Sequence, residues 1–143
     1  MFRTFVAGLA FASALGGAAF AETFEVQMLN KGADGERMVF EPSFLQVQPG
    51  DTVKFLATDR SHNAELNKGM FPDGVEPFKG KINEEIEVNF DVEGVYGVIC
   101  KPHFAMGMVM TIVVGDVAAP DDFLKGRVPP KAKERFTAQL GNF

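Results

Sequence analysis

The chain holds one cysteine and two histidines, and two of those three residues fall within Cys100-Lys101-Pro102-His103-Phe104-Ala105-Met106-Gly107-Met108. The other histidine, His62, lies far upstream. A lone thiolate, two imidazoles and a nearby thioether form the ligand set of a trigonal copper site with a weak axial methionine. Thiolate and imidazole suit both oxidation states of copper, and a long axial sulfur lets the geometry sit between their preferences. Such a site passes single electrons. Cys-x-x-His alone arises by chance in many chains, whereas Cys-x-x-His-x-x-x-x-Met between two apolar runs, with the only other histidine of the chain, is a far more specific signal.

Each residue also has a plainer reading. Cys100 alone reads as a small buried hydrophobe, His62 as a loop histidine and His103 as a surface one. All three plain readings must hold together for the site to dissolve. Zinc binds cysteine and histidine readily, but a closed structural zinc site takes four strong ligands, and methionine is a poor fourth. A nucleophilic Cys100 with a histidine base has no evident Asn or Asp to orient the base. The spacing leaves the axial sulfur open between Met106 and Met108, and Gly107 permits a tight turn that brings the later one back over the site.

These ligands need strand ends to carry them. Phe24, Val26 and Met28 alternate with Glu25 and Gln27, and the same period of two recurs in Leu45-Gln46-Val47-Gln48, Thr52-Val53-Lys54-Phe55 and Ile86 to Phe90. Gln48-Pro49-Gly50-Asp51 reads as a type II turn, and Pro42 marks an edge or bulge. Residues 60–82, punctuated by Gly69, Pro72, Gly74, Pro77 and Gly80, read as a long excursion with at most one helical turn. Val95 to Cys100 is almost continuously apolar, as in a strand buried on both faces, and Met108, Met110, Ile112 and Val114 form one face of a closing strand. Cys100 thus ends one buried strand, Met108 begins the next, and His62 follows the run 53–57. Beyond Gly115, Pro120-Asp121-Asp122 reads as one helix start. A second begins at Pro130, with Ala132, Phe136 and Leu140 forming a narrow apolar stripe that should pack back on the sheets. The fold class expected is an all-β antiparallel sandwich with two short C-terminal helices.

Residues 1–21 read as a cleaved export leader: Arg3 near the start, an uncharged run from Thr4, and the small-x-small ending Ala19-Phe20-Ala21. Residues 22–143 then make one domain. The chain of 143 residues carries a net charge of −5, which argues against nucleic acid as partner. An exported protein with one thiol forms no internal disulfide, and metal ligation both protects and employs that thiol. Covalent haem is excluded, since no Cys-x-x-Cys-His occurs.

Across this domain, Val26-Gln27-Met28-Leu29-Asn30-Lys31-Gly32, Met38-Val39-Phe40-Glu41-Pro42, Pro49-Gly50-Asp51-Thr52-Val53, His62-Asn63, Phe78-Lys79-Gly80-Lys81-Ile82-Asn83-Glu84 and the segment from Cys100 to Met108 resemble the pseudoazurins, bacterial periplasmic cupredoxins with type 1 blue copper. The resemblance implies an eight-stranded Greek-key sandwich, one copper ion, and His62, Cys100, His103 and Met108 as its ligands; Met106 would keep amicyanin-like spacing. It also implies a backbone N–H from Asn63 to the Cys100 sulfur and packing of Met38 on the His103 ring. Pro102 has no N–H to give, so Pro102→Ala is expected to raise the reduction potential. The partners implied are copper- or haem-containing nitrite reductases and similar respiratory enzymes, met by a monomer. Lys31, Arg60, Lys79, Lys81 and Lys101 fall in segments expected around His103 and would steer an acidic partner. One departure is Ile99, where pseudoazurins often carry lysine before the cysteine. A copper-holding or copper-delivery protein of the same fold is the alternative.

Overall fold

Alternation in the sequence becomes two four-stranded sheets in a computed structural model of the chain, which describes residues 20–143. Residues 1–19 of the leader segment lie outside the described residues. The first sheet runs β2 (Arg37–Glu41), β1 (Thr23–Lys31), β4 (Asp51–Leu56), β6 (Ile86–Phe90), with β1 parallel to β4 and the other pairs antiparallel. Its inward residues Val26, Met28, Phe40, Val53, Phe55 and Phe90 are buried, while Glu25, Gln27, Glu87 and Asn89 face water.

The second sheet runs β3 (Phe44–Val47), β8 (Val109–Val114), β7 (Gly94–Ile99), β5 (Glu65–Leu66), with β3 parallel to β8 and the rest antiparallel. Every residue of β8, and every residue of β7 after Gly94, is buried. The inner face meets the first sheet, with Val98, Met110, Ile112 and Val114 against Val53 and Phe55 in one cluster. The outer face is covered by α1 (Pro130–Leu140), whose Ala132 and Phe136 join Val95, Ile99, Val109 and Val113 in a second cluster. Covered on both sides, such strands read as unbroken apolar runs.

The Gln48–Asp51 turn forms as expected: the Asp51 N–H donates to the Gln48 carbonyl at 3.0 Å, and Gly50 takes a φ of +97°. Pro42 lies between β2 and β3, each at the edge of its sheet, where its missing donor costs no ladder bond. Four features differ from the sequence reading, the first being the parallel pairs β1–β4 and β3–β8 in a sandwich read as antiparallel. Strand β2 was not anticipated, because Met38 takes a left-handed φ of +54° and disturbs the alternation. The excursion 60–82, read as irregular, contains the short β5 and a bridge from Glu65 to Lys79. The first of the two C-terminal helices does not form; α1 is the only α-helix among the described residues. Around Pro120 the chain makes single turns, Phe123 N–H to Pro120 and Lys125 N–H to Asp122, each at 3.0 Å. Gly126 and the Pro129-Pro130 pair deny a helix begun there the length that recovers its nucleation cost. Phe123 nevertheless docks edge-on to Phe136 at 6.2 Å between ring centroids.

Candidate metal centre

His62 sits on the crossover from β4 to β5, and its backbone carbonyl accepts the Asn83 N–H at 2.9 Å. Its imidazole is wholly buried, with Nε2 2.8 Å from Asn30 Oδ1. A carboxamide oxygen only accepts, so Nε2 carries the proton and Nδ1 keeps its lone pair. That is the tautomer a metal ligand needs, set by the partner of its other nitrogen.

The segment after β7 folds into tight turns. The Cys100 N–H donates to the Met108 carbonyl at 3.0 Å, and the Met108 N–H to the His103 carbonyl at 3.1 Å. Lys101–His103 forms one 3-10 turn, and Gly107 takes a φ of +88° that favours glycine. These bonds close the loop so that Cys100 and Met108 stand side by side at the end of the core.

Among the described residues, His62, Cys100 and His103 bring one ligating atom each within 4.8 Å of the others. The two Nδ1 atoms are 3.1 Å apart, and the Cys100 Sγ is 3.7 Å from that of His62 and 3.5 Å from that of His103. A point in the plane of that triangle lies roughly 2.0 Å from all three atoms, close to the ~2.0–2.3 Å at which imidazole nitrogen and thiolate sulfur bind a first-row metal. The triangle fits a metal ion. Of the two methionines, Met108 is fully buried in the cluster that contains Cys100, whereas Met106 is 47 % exposed.

Burial pushes the Cys100 thiol up, the backbone N–H groups of Asn63 and His103 pull it down, and Glu65 adds a smaller upward push. Burial also pulls His62 down, helped by His103 and opposed by Asp59. Without metal both groups therefore favour their neutral forms, and ligation must displace the thiol proton. Asn63 binds the two ligand segments together. Its Oδ1 accepts the Lys101 N–H at 2.7 Å, while its Nδ2 donates to Glu65 Oε2 and to the Gly80 carbonyl, both at 3.0 Å.

The sequence reading missed Asn30 and Glu65. An asparagine closing a strand and a glutamate in an irregular excursion carry no local signal of what they will face. Lys31, Arg60, Lys79, Lys81 and Lys101 are all exposed, and among the described residues none makes an ion pair. All five lie on segments bonded around His62 and Asn63: Lys31 follows Asn30, Arg60 precedes Ser61, whose N–H meets Asn83 Oδ1, Lys79 bridges to Glu65, Lys81 precedes Asn83, and the Lys101 N–H meets Asn63. Ile99 is buried under α1, so the side chain at that position is not displayed.

Comparison with known proteins agrees with this geometry. A family profile described as copper-binding proteins of the plastocyanin/azurin family matches residues 26–115. The pseudoazurin of Paracoccus pantotrophus is 50 % identical over 128 residues, covering 89 % of this chain and 88 % of that protein. The pseudoazurin of Methylorubrum extorquens is 48 % identical over 118 residues, covering 81 % and 79 %. Among solved structures, a pseudoazurin from Hyphomicrobium denitrificans superposes with a TM-score of 0.77 at 40 % identity, covering 85 % of this chain and 98 % of that one.

Proposed function

Because the chain belongs to the copper-binding plastocyanin/azurin family, and within it to the pseudoazurins, we propose that His62, Cys100, His103 and Met108 are the ligands of its single copper ion. The protein is a type 1 copper electron carrier and not an enzyme. Copper supplies the one-electron couple, Cu(II) to Cu(I). The protein supplies the rest. Asn30 fixes the His62 tautomer, the buried setting of Cys100 and Met108 keeps water from the sulfurs, and the Asn63 bridge holds both ligand segments in place. A frame that holds its ligands still lets the metal change oxidation state with little reorganisation. The observation that carries this reading is the triangle of 3.1, 3.5 and 3.7 Å, with His62 already in the ligating tautomer.

Electrons enter and leave at His103, which is partly exposed between Pro102 and Phe104. The partner is a respiratory reductase with an acidic docking face, a nitrite reductase of the copper or haem type. Lys31, Arg60, Lys79, Lys81 and Lys101 steer it in, and salt weakens the encounter. Such redox interfaces are small and short-lived. The protein works as a monomer in the periplasm, residues 22–143 forming one domain after loss of the leader 1–21. Among the described residues, no helix is long and apolar enough to cross a membrane. The burial of His62, with its second nitrogen held by Asn30, favours a retained ion over one handed on. Absorption and paramagnetic resonance spectra of the copper-loaded protein should show thiolate-to-copper charge transfer, with reversible one-electron voltammetry. A colourless protein that gives its copper at once to a weak chelator would overturn the carrier reading in favour of copper delivery.

A further inference from the structure

Among the described residues, one side chain of the C-terminal helix hydrogen-bonds the loop between Cys100 and Met108. Arg135 Nη1 donates to the Gly107 carbonyl at 2.9 Å and to the Met38 carbonyl at 2.7 Å. Its Nη2 donates to the Arg37 carbonyl at 2.8 Å and to Glu36 Oε2 at 3.0 Å. Gly107 immediately precedes Met108. A Cβ added at Gly107 would lie 2.7 Å from Lys131 Cγ and 3.1 Å from Arg135 Cδ, so α1 rests directly on this turn of the loop. The peptide group joining Gly107 to Met108 is thus held at both ends, its carbonyl by Arg135 and its N–H by the His103 carbonyl at 3.1 Å. The same guanidinium holds the left-handed Met38, whose side chain packs against the cluster containing Cys100 and Met108.

We propose that Arg135 is a positioning residue for the copper site, fixing through the Gly107 carbonyl the peptide plane from which Met108 projects. This rests on Met108 being a copper ligand, as proposed above. A thioether would bind copper weakly, which leaves the sulfur's position to the protein more than to the metal. Holding one peptide plane against a neighbouring strand is a task for a planar fork with five donors, and the ammonium of lysine, on its flexible stem, does not reproduce it. Glu36 supplies the balancing charge. The helix therefore does two separable things. Phe136 and Ala132 cover the outer face of β7 and β8, and Arg135 reaches past them to the ligand loop.

The test compares wild type, Arg135→Met, Arg135→Lys and Phe136→Leu as full-length copper-loaded and metal-free proteins. Arg135→Met should alter the Cu(II) paramagnetic resonance spectrum and the reduction potential, and speed copper release to a chelator by roughly tenfold or more, as loss of a partner outside the ligand sphere does. In the metal-free protein it should raise the amide exchange rate of Met108. Arg135→Lys should fall between Arg135→Met and wild type, and carries the test by the same readouts if Arg135→Met does not fold. Phe136→Leu, which loosens the helix without touching those carbonyls, should lower the melting temperature and leave spectrum and copper release unchanged. Arginine variants indistinguishable from wild type at the metal, or a Phe136→Leu variant that reproduces their changes, would overturn the inference while the copper reading stands. A wild type without the blue-copper signature would remove both.

Discussion

The two histidines that meet across 3.1 Å live in opposite surroundings. His62 is fully enclosed, its second nitrogen tied to Asn30 and its carbonyl to Asn83. His103 sits in a short loop beside exposed Pro102, Ala105 and Met106, and is itself partly open to water. One imidazole is built into the frame and the other is presented to the outside. The site is divided accordingly, the upstream arm enclosed and tied down, the downstream loop partly open to water.

Substitution at each histidine breaks the comparison most directly. His62→Ala empties a buried position and leaves Asn30 without its partner, so we expect loss of the blue-copper spectrum and destabilisation by about 2–4 kcal/mol in chemical denaturation. Added imidazole should not restore the colour. His103→Gly should cost below about 1 kcal/mol, and imidazole diffusing into the gap should restore the absorption band. Equal rescue of both variants would remove the distinction. Next in size is Asn30→Ala, which frees the His62 tautomer and should weaken copper affinity by roughly 10–100-fold in a competition titration.

Acid should act on the buried partner of the pair. Burial holds His62 below its ordinary value, so the unfolded chain takes up this proton at about pH 6.5 while the native protein resists it. The stability tied to neutral His62 is complete above that pH and declines as pH falls below it, by at most about 1.4 kcal/mol per unit. Denaturation of the metal-free protein from pH 7.5 to 5.5 should show this slope, and His62→Gln should flatten it. The smallest effect is expected at Pro102. If Pro102→Ala adds one N–H bond worth about 1 kcal/mol to the thiolate, the potential rises by roughly 40 mV for a one-electron couple. Voltammetry that shows no shift would place the control of potential elsewhere.

What the sequence made legible was local or unique. Cys100, His103 and Met108 lie within one loop, and His62 stood out as the only other histidine. The continuous apolar run of β7 announced double burial, and Pro49-Gly50 announced its turn. The unseen parts all depend on distance along the chain. Asn30 lies 32 residues from the imidazole it orients, and nothing near it in sequence marks that pairing. Arg135 lies beside the apolar stripe of its helix, and its partners Met38 and Gly107 lie 97 and 28 residues away. The helix expected at Pro120 failed for the converse reason. Its start signal was local, but Gly126 and Pro129 left no length to extend it.

His62 lies where the chain passes from the first sheet to the second, while Cys100 and His103 belong to the connection between two strands of the second sheet alone. An ion held by all three would rivet the sandwich at one end. Shearing or peeling the layers apart there would first have to tear metal–ligand bonds, so the loaded protein should withstand heat for longer than its hydrophobic contacts alone allow, by a margin that grows with the free metal concentration.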